Sequence, residues 1–183
     1  MAHIALKDEN LPGIVGLLNH NPVTAKPLCE LAEILLVDEN TLTRGEREII
    51  AASVSYWNEC HFCHSSHGAA AAAHVGEGVG FLDEIKLGFI NGGISDKLRS
   101  LLKIAQKVQQ GGKKVREEDI EEAKSLGATD REIHDTVLIA AAFCMYNRYV
   151  DGLATWAPVE NGAYMEMGKR LAEQGYIMEA VPA

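Results

Sequence analysis

Apolar positions along the chain recur three or four residues apart, and no segment has the alternating, Val-, Ile- and Tyr-rich pattern of a half-buried strand. The pattern predicts an all-α protein. Leu11 to Leu18 and Ala25 to Val37 read as the first two helices, parted by Asn21-Pro22. Thr43 and Glu46 have capping-box spacing, and Ile49, Ile50, Val54 and Trp57 then mark the buried side of a helix reaching about Asn58. The next helix is expected from about His61 to His74, ended by Gly76, Gly78 and Gly80. Leu82 to Phe89, Asp96 to Gln109, Glu117 to Leu126 and Arg131 to Tyr149 follow as helices. Gly92-Gly93, Gly111-Gly112 and Gly127 interrupt them, and Ser95 and Thr129 are placed to cap. Thr129 with Glu132 repeats the capping-box spacing, and Arg131-Glu132-Ile133 echoes Arg47-Glu48-Ile49. Beyond Pro158, the segment Tyr164 to Gly175 is apolar at Met165, Leu171 and Ala172, which predicts a terminal helix suited to docking on a neighbouring subunit.

A length of 183 residues suits one main core, with an N-terminal segment over 1–19, a helical domain over 20–157 and a helical tail over 158–183. The net charge of -9 and pI near 5.2 argue against a nucleic-acid surface, which needs clustered Lys and Arg. Lys113, Lys114 and Arg116 form a dense basic cluster, but Glu117, Glu118 and Asp119 follow at once, the pattern of a solvated helix start. Met1 to Gly13 has no basic stretch followed by an apolar one, so no secretory signal is read. The small apolar run Ala69 to Ala73 is far too short to span a bilayer. The expectation is a cytoplasmic protein with no membrane and no nucleic-acid partner. In a reducing compartment a close cysteine pair is more often catalytic or metal-binding than structural. Of the four cysteines, Cys29 and Cys144 stand in apolar surroundings and read as small core residues.

The other two carry the chemistry. In Cys60-His61-Phe62-Cys63-His64-Ser65-Ser66-His67, two thiols lie close enough to form and break a disulfide. The i to i+4 spacing puts His67 one helical turn from Cys63, within reach of its proton. Glu48 precedes Cys60 by twelve residues, which on a continuous helix is roughly 18 Å at about 1.5 Å per residue. A break is therefore required, and Asn58-Glu59, where the apolar pattern stops, is its place. If the chain folds back there as an antiparallel hairpin, Glu48 comes level with residues near Gly68 and can meet His67. Ala51, Ala52, Ala69, Ala70 and Ala73 would let the two helices approach closely. The resulting order is Glu48 charging and orienting His67, and His67 drawing the proton from Cys63. The helix amino terminus favours the thiolate further, and Cys60 can attack an oxidised Cys63 to close the disulfide.

Leu42-Thr43, Arg47-Glu48, Val54-Ser55, Asn58, Cys60, Cys63 and His67 together resemble the signature of the AhpD-like alkylhydroperoxidases in the carboxymuconolactone decarboxylase superfamily. Phe143, Asn147, Arg148, Asp151 and Gly152 resemble a later helix of its peroxidase-related branch. The resemblance spans roughly residues 20 to 155. It implies an AhpD-like helical bundle with the Cys-x-x-Cys motif at a helix amino terminus, assembled as a homotrimer or homohexamer. It also implies a peroxidase without cofactor or metal, acting on organic hydroperoxides or hydrogen peroxide. Cys63 is then the peroxidatic thiol, Cys60 the resolving one, and Glu48 with His67 the proton relay. The reductant is an external dithiol, for which a lipoyl-bearing or thioredoxin-like protein is the partner the family suggests. Phe62 departs from the family pattern, which has a histidine immediately before the second cysteine.

Other chemistries fit parts of the same residues. Cys60-His61-Phe62-Cys63-His64 satisfies the c-type haem attachment pattern, which normally accompanies export. Cys60, Cys63, His64 and His67 could make a zinc site in a non-catalytic oligomeric protein, although eight residues crowd a tetrahedral set. A lactone-processing decarboxylase of the same superfamily would have no use for two neighbouring thiols. A non-catalytic binding protein would have two unreactive ones.

Overall fold

A computed structural model describes residues 2–89 and 93–177. Among these the chain forms nine α-helices and no strand: α1 Gly13–His20, α2 Pro22–Leu36, α3 Arg44–Trp57, α4 His61–Val75, α5 Phe81–Lys86, α6 Asp96–Gln110, α7 Glu117–Ser125, α8 Asp130–Gly152 and α9 Asn161–Gln174. A 3-10 turn, Gly112–Lys114, joins α6 to α7. The all-α expectation holds. No helix among the described residues is long and apolar enough to cross a membrane.

The helix starts follow local side-chain chemistry. Thr43 Oγ1 accepts the Glu46 N–H at 3.2 Å, Ser95 Oγ accepts that of Leu98 at 3.1 Å, and Thr129 Oγ1 accepts that of Glu132 at 3.2 Å. Each cap satisfies a backbone donor that the helix itself leaves unpaired. Other boundaries move. Helix α2 begins at Pro22, three residues before the expected Ala25, because proline at the first helical position gives up an N–H that has no helical partner there. It continues through Pro27. Helix α5 stops at Lys86 rather than Phe89, since Gly88 and Phe89 take φ of 63° and 55° and turn the buried Phe89 ring onto Phe81. The expected Gly92-Gly93 break falls partly outside the described residues, as Gly92 is not among them.

Two apolar clusters organise the molecule. The larger packs α3, α6 and α8 around Ile50, Val54, Leu101, Ile104, Ile139 and Phe143. The smaller gathers Leu17 from α1, Cys60, Phe62, Cys63 and Ala69 around α4, Val150 from α8 and Tyr164 from α9. The Cys-x-x-Cys motif is thus part of a packed core. Helix α9, expected to dock on a neighbouring subunit, packs on its own chain through Tyr164 and Gly168. Tyr164 is fully buried and donates to the Pro158 carbonyl at 2.9 Å. Gly168 lies directly on α4, where an added Cβ would stand 2.4 Å from the Ala69 carbonyl carbon and 2.6 Å from the Ala70 nitrogen. Only a hydrogen fits at that crossing.

Gly168→Ala is therefore expected to push α9 off α4 and to destabilise the protein by about 1–3 kcal/mol, the usual range for overpacking. Gly162→Ala in the same helix, where an added Cβ meets nothing within 4 Å, should be neutral or mildly stabilising. Thermal unfolding of the two variants side by side checks this. Equal melting temperatures would mean that α9 is not seated on α4 in solution.

Candidate active site

The turn between α3 and α4 sets the site. Asn58 stays helical at φ -83°, and Glu59, not Asn58, takes the left-handed conformation at φ 62°. The Glu59 N–H donates to the Tyr56 carbonyl at 2.9 Å and the Cys60 N–H to the Ser55 carbonyl at 3.0 Å, the paired bonds of a Schellman ending. A non-glycine residue in that conformation needs support. Asn58 Nδ2 donates to Asn147 Oδ1 at 2.8 Å, Asn147 Nδ2 to Ser55 Oγ at 3.0 Å, and Gln109 Nε2 to Asn58 Oδ1 at 3.0 Å. Side chains of α6 and α8 thereby clamp the end of α3, and Cys60 follows as the N-cap residue of α4.

Returning antiparallel, α4 packs on α3 through Ala51, Ala52, Ala70, Ala71 and Ala72, all fully buried. Small side chains permit the close approach. His64 Nδ1 lies 3.1 Å from the Ala52 carbonyl and spans the same interface. Nineteen residues apart in sequence, Glu48 and His67 meet here, with His67 Nδ1 2.8 Å from Glu48 Oε2. An ionised carboxylate only accepts, so opposite an ionised Glu48 it is Nδ1–H that donates. Phe143 meets the His67 ring edge-to-face at 4.6 Å between centroids. On its other side Tyr176 stacks at 5.6 Å with an interplanar angle of 12°. The Tyr176 hydroxyl donates to Glu48 Oε1 at 2.5 Å and lies 3.2 Å from His67 Nδ1.

The cysteines occupy unequal positions. Both are reduced and buried. Cys63 lines a cavity of about 650 Å³ together with His67, Phe143, Tyr146, Leu28 and Arg170, while Cys60 does not reach it. A hydrogen bond shared with Cys63, reinforced by burial, pushes the Cys60 thiol far above the ordinary thiol range, and Asp151 adds to the effect. The other two cysteines differ from each other: Cys29 is buried and also lines the cavity, whereas Cys144 is half-buried and accepts from Asn58 Nδ2 at 3.5 Å.

Among the residues singled out from sequence, Glu48 and His67 are in contact and Cys63 and His67 share one cavity, with Cys60 behind them. His64 bonds across to α3, and among the described residues no three His, Cys, Asp or Glu side chains are arranged to hold a metal ion. The echo of Arg47-Glu48-Ile49 in Arg131-Glu132-Ile133 is not functional in geometry. Glu132 closes its own capping box and binds Lys97 at 2.7 Å, whereas Glu48 lies two residues beyond its capping box. Sequence reasoning missed Tyr176, because no local spacing ties a residue after the last helix to Glu48.

No protein-family model and no curated protein matches the chain. Solved structures do. The alkylhydroperoxidase AhpD core of an uncharacterized peroxidase-related protein from Ralstonia eutropha JMP134 matches at 22% identity and a TM-score of 0.79, over 92% of this chain and 96% of that one. An uncharacterized peroxidase-related protein from Silicibacter sp. TM1040 matches at 25% identity and 0.75, over 84% and 78%. A protein of unknown function from Agrobacterium tumefaciens matches at 19% and 0.65, over 81% and 99%. At these identities what is shared is the fold: the chain is an all-α, AhpD-like helical bundle.

Proposed function

We propose that the chain is a dithiol peroxidase that reduces hydroperoxides through a Cys60–Cys63 disulfide. The observation that carries this reading is that Cys63 and His67 line one cavity, with His67 Nδ1 held 2.8 Å from a buried Glu48. The peroxidase-related proteins among the structural neighbours support it. His67 Nε2 takes the Cys63 proton, and the resulting imidazolium is balanced by Glu48. The Cys63 thiolate attacks the terminal peroxide oxygen, so that an S–O bond forms as the O–O bond breaks. The departing alkoxide takes the proton from His67 and leaves as an alcohol, or as water when the substrate is hydrogen peroxide. Cys60 then attacks the sulfenic sulfur, giving the disulfide and releasing its oxygen as water. Two electrons from an external dithiol, a lipoyl-bearing or thioredoxin-like partner, restore both thiols. The apolar side chains of Leu28, Phe143 and Met167 at the cavity favour organic hydroperoxides over hydrogen peroxide. Assembly as a homotrimer or homohexamer belongs to the same proposal, and light scattering at micromolar concentration reads it.

Cys63→Ser is expected to abolish peroxide consumption. Cys60→Ser should still form a sulfenic acid at Cys63 but stop after one turnover. Mass spectrometry after a sulfenate-selective trap decides the roles: an adduct on Cys60 in the Cys63→Ser protein, with none ever on Cys63, would reverse them.

The relay makes a second prediction. Glu48→Gln should move Cys63 alkylation to higher pH, because the imidazolium that accompanies the thiolate loses its counter-charge. His67→Ala should do at least as much. The double variant should fall well short of the sum, since both changes interrupt one path. Effects that add to within about 0.3–0.5 kcal/mol would mean two independent sites.

A further inference from the structure

Tyr176 belongs to no helix, yet three of its contacts converge on the relay. Its ring lies nearly parallel to that of His67, its hydroxyl bonds the Glu48 oxygen that His67 leaves open, and the same hydroxyl stands 3.2 Å from His67 Nδ1. The backbone around it is anchored separately. The Tyr176 N–H donates to Glu33 Oε2 at 2.6 Å, and Gly175 turns there at φ 73°, where an added Cβ would lie 2.5 Å from the Glu33 carboxylate. Residues 175–177 also line the cavity that Cys63 faces. From these contacts we infer that Tyr176 is a positioning residue of the Glu48–His67 pair, brought to the site by the strap that follows α9. The inference rests on the relay proposed above.

Its chemistry has a direction. Burial, with the Glu48 carboxylate alongside, pushes the Tyr176 phenol well above its ordinary range, so it remains a neutral donor at working pH. A donor on Oε1 spreads the carboxylate charge and weakens the support that Glu48 gives to a protonated His67. Tyr176 thus completes the hydrogen bonding of a carboxylate that is almost wholly shut away from water, and at the same time restrains how basic His67 becomes. The other titratable groups around this cluster are Glu33 and Cys29 on α2, Arg47 on α3, Cys63 and His74 on α4, Tyr146 on α8 and Arg170 on α9. Of the groups named, only the Tyr176 hydroxyl reaches both Glu48 and His67 with a hydrogen bond.

Tyr176→Phe keeps the stacked ring and deletes the donor. Glu48 then supports the imidazolium more strongly, so the thiolate–imidazolium pair should form at lower pH. The midpoint of Cys63 alkylation, followed by peptide mass spectrometry across pH, is expected to fall by about 0.5–1 unit, the effect of one hydrogen bond. Glu48→Gln should move the same midpoint the opposite way, a contrast that loss of packing alone would not produce. If Glu48→Gln moves the midpoint and Tyr176→Phe leaves it unchanged or raises it, Tyr176 has no such role and the relay stands. If neither moves it, the relay itself is wrong. A measurement on the unaltered protein covers the case of a variant that does not fold. The Tyr176 hydroxyl proton should exchange slowly and show an NMR cross-peak to the His67 ring, and rapid exchange with solvent would overturn the bond.

Discussion

Glu59 at φ 62° turns the chain back between α3 and α4, and every distance in the candidate site follows from that reversal. A left-handed residue with a Cβ costs on the order of 1 kcal/mol or more, and it persists only where its neighbours over-determine it. Here they do so twice. The Schellman bonds use the Ser55 and Tyr56 carbonyls, and the Asn58, Asn147, Ser55 and Gln109 side chains tie the same turn to α6 and α8. The turn delivers two things together. It makes Cys60 the residue that both ends one helix and opens the next, and it sets Glu48 level with His67.

Burial then dictates the partners of Glu48. Only 2% of its surface is exposed, and a carboxylate in such a place is tolerated when its lone pairs are bonded and its charge is answered. His67 takes one oxygen and Tyr176 the other. The same two contacts that make burial affordable also orient the His67 ring. Stability and the geometry of the site therefore draw on one set of bonds. Any change that relieves the burial of Glu48 also loosens the orientation of His67.

What could be read from the sequence is what local rules encode. The 3.6-residue period located the helices, and three side-chain caps began at the expected Thr43, Ser95 and Thr129. The hairpin was legible because a continuous helix would have separated Glu48 from the thiols by too great a distance. Its turn residue was not: Asn is the better left-handed residue by propensity, but the side chain of Asn58 is engaged with Asn147, and the turn falls to Glu59. Tyr176 lies 128 residues from Glu48, and only the tertiary placement of α9 and the strap brings them together. The seat of α9 was hidden for a related reason. An amphipathic pattern states that a face is covered, not by which chain, and the decisive residue, Gly168, carries no side chain to signal its contact.

The two thiols of the motif have unequal surroundings. Cys63 lies in the first turn of α4 and lines the cavity, which Cys60 does not reach. Cys60 is wholly buried, and its contact with Cys63 together with that burial raises its pKa. As N-cap, at φ -82° and ψ 95°, Cys60 sits outside the helical conformation. The two thiols, three residues apart in sequence, are thus set apart by burial and by conformation: one stands inside the helix at the cavity wall, the other at the N-cap away from the cavity.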